Sequence, residues 1–157
     1  MREDLRELYQ AVILDHARAP RNFRRPERAG RQAHGHNPMC GDQLSVYLSL
    51  DEGGLIDDAA FEGKGCAISL ASASLMTETL PGRSGEDALR LLAAFEVLCT
   101  KEPTGDDQTG SEQDRQALER LRALAGVRAF PARIRCATLA WQTMAAALRG
   151  DGEASSE

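Results

Sequence analysis

The stretch Gln43-Leu44-Ser45-Val46-Tyr47-Leu48-Ser49-Leu50-Asp51-Glu52-Gly53-Gly54 decides the fold. Leu44, Val46, Leu48 and Leu50 alternate with Gln43, Ser45, Tyr47 and Ser49, the two-residue period of a strand with one buried face. Asp51-Glu52-Gly53-Gly54 is a turn signal, and Leu55 to Glu62 can return antiparallel, although Asp57 and Asp58 blur its pattern. An isolated hairpin is marginal in water, so a third strand is expected around Arg31 to His36.

Helical patterns flank this sheet on both sides. Leu5, Leu8, Tyr9, Val12 and Ile13 share one face of a helix predicted over Glu3 to Arg18 and ended by Pro20. After Cys66 a run rich in Ala, Ser, Leu and Met predicts a short helix to Leu80, stopped at Pro81-Gly82. Ser84 is placed to cap the next helix, where Ala88, Leu91, Leu92, Phe95 and Cys99 form an apolar face. Thr100 to Asp114 is polar and reads as a long surface loop. Leu118, Leu121 and Ala125 support a helix before Gly126, and Pro131 opens a last one through Trp141 to Leu148. Strands grouped ahead of helices, without an internal repeat, give an α+β class: a small antiparallel sheet of about three strands with helices packed on it. Residues 1–149 are expected to form one domain and 150–157 a disordered tail.

Composition narrows the function classes. At 157 residues, with 42% hydrophobic and 27% charged residues, the chain is a single domain's worth of ordinary globular sequence. Its apolar runs are broken well before the ~18 positions a bilayer-spanning helix needs. The opening Met1-Arg2-Glu3-Asp4 carries no apolar signal run, so the cytoplasm is the expected location. The formal net charge of −5 and a pI near 5.3 disfavour neutralising many phosphates, which argues against nucleic acid as the main partner. The locally basic segment Arg18 to Arg31 therefore reads as a solvated linker before it reads as a nucleic-acid arm.

Cysteine chemistry becomes the question, because four cysteines in a reducing compartment are metal ligands, nucleophiles or core residues before they are disulfides. In Asn37-Pro38-Met39-Cys40-Gly41-Asp42, Cys40 and Asp42 are two apart, so in extended chain both point the same way. Zinc accepts thiolate and carboxylate, and a tetrahedral site needs four ligands. Cys66 and Cys136 are candidates for the other two: each is expected near a helix start, with Lys64 and Arg135 as nearby cations that also favour a thiolate. The wide sequence gaps are unlike paired CxxC ribbons, so Cys66 and Cys136 read equally well as small buried hydrophobes. Cys99, beside Phe95 on an apolar face, reads as core. His34 and His36 are close enough in sequence to offer an alternative ligand, or are simply polar loop residues.

Beyond these local patterns the chain resembles a known family, the SufU-type iron-sulfur assembly proteins, relatives of the IscU scaffolds. The resemblance rests on Tyr9, Asp15-His16, Pro20-Arg21-Asn22-Phe23 and Asn37-Pro38-Met39-Cys40-Gly41-Asp42. It continues through Gly63-Lys64-Gly65-Cys66-Ala67-Ile68-Ser69 and the run from Phe130-Pro131 through Cys136 to Trp141. It implies one metal site made by Cys40, Asp42, Cys66 and Cys136, and no role for Cys99. IscU proteins usually carry histidine directly before the third cysteine, where Arg135 stands here, and Arg135 cannot ligate a metal at neutral pH. They also lack a long insertion like the segment around Thr100 to Leu124.

Both departures favour the SufU side. That resemblance implies a zinc-dependent sulfur acceptor for a SufS-type cysteine desulfurase, with downstream SUF assembly proteins as further partners and no membrane. The alternatives are a scaffold that builds an iron-sulfur cluster on the same thiols, and a structural zinc domain. Asp42 argues against the last, since structural sites usually use cysteine and histidine. Cys40, in a glycine-containing loop, is the expected acceptor of sulfur, because it can move at lower conformational cost than a thiol at a helix start.

Overall fold

The computed structural model describes residues 3–101 and 112–155. Helix α1 (Glu3–Arg18) precedes three strands, β1 (Arg31–Asn37), β2 (Asp42–Leu50) and β3 (Ile56–Lys64). Helices α2 (Ala67–Thr79), α3 (Gly85–Thr100) and α4 (Glu112–Leu121) follow, then a 3-10 segment (Arg122–Ala129), α5 (Pro131–Arg149) and a short strand β4 (Glu153–Ser155). The sheet order is β3-β2-β1-β4, so the alternating stretch from Gln43 to Leu50 lies inside the sheet. β1 and β3 both pair with it antiparallel, Asn37 opposite Asp42 and Lys64 opposite Gln43.

The period-two pattern has its physical meaning in that register. Leu44, Val46 and Leu48 are buried on the face that packs against α5, while Gln43 is exposed and Ser45 half-buried on the other face. Helix α5 is dense in small residues, and Ala137, Ala140, Ala146 and Ala147 join the core with Leu139, Trp141 and Met144. Trp141 stacks on Phe95 with ring centroids 4.9 Å apart, and its Nε1–H donates to Ser72 Oγ at 3.2 Å. Cys99 is fully buried in this core. The Asp15-His16 pair of the sequence holds α1 in place: His16 Nδ1 lies 2.7 Å from Ser74 Oγ on α2, and Asp15 pairs with Arg21 at 2.6 Å.

Several expectations need correction. Glu153–Ser155, in the stretch expected to be a disordered tail, runs parallel to β1 as a fourth strand. Gly150, in a left-handed conformation, ends α5 and turns the chain back, and His34 N–H then donates to Gly152 O at 2.8 Å. Three residues are too few to show a period, so this strand left no pattern to read. Of the polar stretch expected as a loop, Thr100 ends α3 and Glu112 to Asp114 open α4, while 102–111 lie outside the described residues. The acidic residues that suggested a loop suit a helix N-terminus, and Asp114 is buried in an ion pair with Arg83. The helix expected to end before Gly126 instead changes at Arg122 to a 3-10 segment that passes through this glycine. Finally, His34 and His36 are not loop residues: they lie on the exposed face of β1, whereas Asn37 faces the core.

Candidate metal centre

Three local rules bring the site together. The turn between β1 and β2 carries Cys40, exposed, with Gly41 in a left-handed conformation at φ +72°. Asp42, the first residue of β2, faces the core and is fully buried, as is Asn37 opposite it in register. Cys136 is the sixth residue of α5 and fully buried. Ligand atoms of Cys40, Asp42 and Cys136 all lie within 4.8 Å of one another, and the Cys40 and Cys136 sulfurs are 3.3 Å apart.

Cys66 stands at the edge of this group. It is the N-cap of α2, and its half-buried sulfur accepts the Ser69 N–H at 3.4 Å. Its backbone N–H donates to Asp42 Oδ1 at 2.9 Å, so one carboxylate oxygen is fixed at the start of α2. The other oxygen, Oδ2, lies 3.4 Å from Asn37 Nδ2, whose amide also reaches Cys136 Sγ at 3.7 Å. Asp42 thus divides its two oxygens between the helix start and the thiols.

The electrostatics differ from the sequence expectation. Helix position was expected to lower the Cys136 thiol. Burial, with Cys40 and Asp42 as hydrogen-bonding neighbours and Cys66 close by, pushes it well up instead. The cation facing the thiols is Arg133, whose pKa is raised first by a hydrogen bond with Cys136 and then by the fields of Cys66, Cys136 and Cys40. Arg135 was the sequence candidate, but on a helix the residue three before Cys136 shares its face and the residue one before does not. Lys64, the other candidate, lies on the face of the sheet away from the helices, with His34, Gln43, Ser45 and Glu62 around it. His34 and His36 are on that same outer face, which removes them as alternative ligands.

Asn37, Arg133 and Ser69 were not singled out from sequence. Their spacing held the signal: Asn37 mirrors Asp42 across a tight turn, Arg133 is three before Cys136, and Ser69 is three after the N-cap Cys66.

The family described as the NifU-like N terminal domain matches residues 8–137. The chain belongs to this family. Among its relatives it is 40% identical, over 90% of its own length and 89% of theirs, to the zinc-dependent sulfurtransferase SufU of Bacillus subtilis. It is 38% identical to the iron-sulfur cluster assembly scaffold protein IscU of Streptococcus pyogenes, covering 96% of this chain and 88% of that one. A crystal structure described as an iron-sulfur cluster assembly scaffold protein for the SUF system, from Fervidobacterium islandicum, superposes with a TM-score of 0.74 at 31% identity, covering 87% of this chain and 93% of that one. The family thus includes proteins named for sulfur transfer and proteins named as scaffolds. Among the described residues no helix is long and apolar enough to cross a membrane.

Proposed function

We propose that this protein is a zinc-dependent sulfur acceptor in iron-sulfur cluster assembly, taking persulfide sulfur from a SufS-type cysteine desulfurase in the reducing cytoplasm. The observation that carries this reading is one exposed thiol, Cys40, set 3.3 Å from a fully buried one, Cys136, beside a fully buried carboxylate. A sulfur acceptor needs one thiol within reach of a partner, and Cys40 is the exposed one.

The residues suit a zinc ion. Cys40, Asp42 and Cys136 would hold it, with Cys66, whose sulfur accepts the Ser69 N–H at the start of α2, as the fourth donor. Three thiols and a carboxylate match zinc's donor preferences, and the buried Ser69 hydroxyl beside them finds no hydrogen-bond partner among the protein's own groups. Bound zinc keeps cysteine deprotonated at neutral pH and sheltered from oxidation.

This chain's own groups then divide the work. The Cys40 thiolate attacks the outer sulfur of the desulfurase persulfide. A new S–S bond forms at Cys40 as the partner's S–S bond breaks, and the partner's cysteine leaves as a thiolate. Arg133 offsets the negative charge gathered on the thiols. Met39, 73% exposed, precedes Cys40 in the turn and gives a docking protein apolar surface beside it. The acquired sulfur would pass to downstream SUF assembly proteins.

The test is mass spectrometry of the zinc-loaded protein after incubation with desulfurase and cysteine. A gain of about 32 Da, one sulfur atom, is expected on Cys40. Cys40→Ser should abolish both the gain and the stimulation of the desulfurase. Sulfur on Cys66 or Cys136 with Cys40 unmodified would overturn the choice of acceptor. A brown protein purified without added iron, carrying stoichiometric iron and sulfide, would put the scaffold reading first.

A further inference from the structure

Ser69 is fully buried, and its Oγ is the one buried side-chain oxygen or nitrogen among the described residues that finds no hydrogen-bond partner. Buried hydroxyls are rarely left so, and each exception asks for a reason. This one sits at a telling place. Ser69 is on the first turn of α2, three residues after Cys66, and its own N–H already serves the Cys66 sulfur. A Cβ added at Gly65 would lie 3.0 Å from Ser69 Oγ and 2.7 Å from Asp42 Oδ1, so hydroxyl and carboxylate crowd the same small space over that glycine.

Asp42 Oδ1 is the oxygen held at the start of α2. It accepts the Cys66 N–H at 2.9 Å, while Oδ2 faces Asn37 and, through it, Cys136. α2 has no acidic residue of its own in its first turn, so the carboxylate that meets its N-terminus comes from β2. With Oδ2 given to a metal, Oδ1 would keep a lone pair free on the side of Ser69.

We propose that Ser69 is a positioning residue for the metal centre: its hydroxyl donates a hydrogen bond to Asp42 Oδ1 in the zinc-loaded protein, joining the Cys66 N–H and orienting Oδ2 toward the ion. This rests on the zinc reading above. Partners of this kind orient ligating carboxylates, and their removal typically weakens metal affinity about 10- to 100-fold. Without the metal the same hydroxyl would be a buried polar group with no partner from this chain, which would disfavour folding.

The inference therefore makes two opposite demands on Ser69→Ala. Zinc affinity, measured by competition of Zn²⁺ with a chromophoric chelator, should fall at least tenfold. The melting temperature of the metal-free protein should stay level or rise, because an unpaired hydroxyl has been removed. A purely structural serine would show the reverse, a lower metal-free melting temperature with unchanged affinity, and that result overturns the proposal. Ser69→Thr, which returns the hydroxyl, should recover most of the lost affinity. Equal zinc affinity in wild type and Ser69→Ala overturns the Ser69 role alone. Failure of wild type itself to bind zinc through these thiols overturns the zinc reading and this inference together.

Discussion

Two glycines that bracket Asp42 isolate what fixes the carboxylate. At Gly65 an added Cβ would stand 2.7 Å from Asp42 Oδ1, 3.0 Å from Ser69 Oγ and 3.2 Å from Asp42 Cγ. The first of these is about 0.7 Å inside the 3.4 Å at which ordinary contact begins. The backbone itself is not the obstacle, since Gly65 is outside the left-handed region. Gly41 is the converse: φ is +72°, yet nothing lies within 4 Å of its added Cβ. Gly41→Ala thus tests backbone strain without contact, and should cost about 1 kcal/mol. Gly65→Ala tests contact without strain. To relieve it the carboxylate must move by an amount comparable with the range over which the 2.9 Å Cys66 N–H···Oδ1 bond is lost. Losing a bond to a charged acceptor removes roughly 1.5–3 kcal/mol, and overpacking adds to it, so about 2–4 kcal/mol is expected. Urea unfolding of the reduced, metal-free proteins, followed by fluorescence of the single, buried Trp141, reads both numbers. With a slope of about 2 kcal/mol/M the Gly65→Ala midpoint should fall by about 1–2 M, and that of Gly41→Ala by about 0.5 M. A Gly65→Ala shift no larger than that of Gly41→Ala would refute the claim that Asp42 is pinned against the start of α2.

Two further outcomes follow from the same geometry. Stripping zinc should lower the melting temperature by several degrees, because the proposed donors join the β1–β2 turn, the start of α2 and α5; an unchanged transition after complete chelation, measured by calorimetry, would count against the site. Cys99→Ala should keep full zinc stoichiometry and cost about 1–2 kcal/mol of packing. Burial pushes the Cys99 thiol from 9.0 up to about 12, so the folded state holds its proton while the unfolded chain releases it. Stability is then fully present below pH ~9 and lost as pH rises from about 9 toward 12, at no more than about 1.4 kcal/mol per pH unit. Urea midpoints between pH 9 and 11 should fall less steeply in Cys99→Ala than in wild type.

Most of the fold could be read because its elements carry their own periods. The alternation across Leu44 to Leu50 and the 3-4 spacing of Ala88, Leu91 and Phe95 name both element type and buried face, and Ser84 caps α3 as its position suggested, accepting the Asp87 N–H at 3.1 Å. What escaped lacked a period or depended on a distant partner. β4 is held by backbone bonds to β1, which no side-chain pattern announces. The start of α4 was hidden because its acidic residues look like loop until the buried Arg83 is placed beside Asp114.

The candidate site shows the same division at the scale of single residues. Which side chains are chemically able to share an ion was legible in the residue types. Which neighbours serve them depended on facing directions that only the register and the helix phase supply. Adjacency in sequence suggested Arg135 and Lys64, but one step along a helix turns a side chain about 100° and one step along a strand sends it to the opposite face. Arg133 and Asn37 are the residues that these periods select. The same geometry grades the three thiols by exposure: Cys40 exposed, Cys66 half-buried and tied to the first turn of α2, Cys136 buried within α5. A closed tetrahedral site makes all its thiolates poor nucleophiles, so reactivity belongs to the ligand that can leave at least cost. Releasing Cys136 would leave a thiolate in the core, and releasing Cys66 into solvent would surrender the cap of a helix. Cys40 would leave into solvent from a turn, so the reactive role proposed for it rests on exposure and tether and not on any difference in the chemistry of the sulfur.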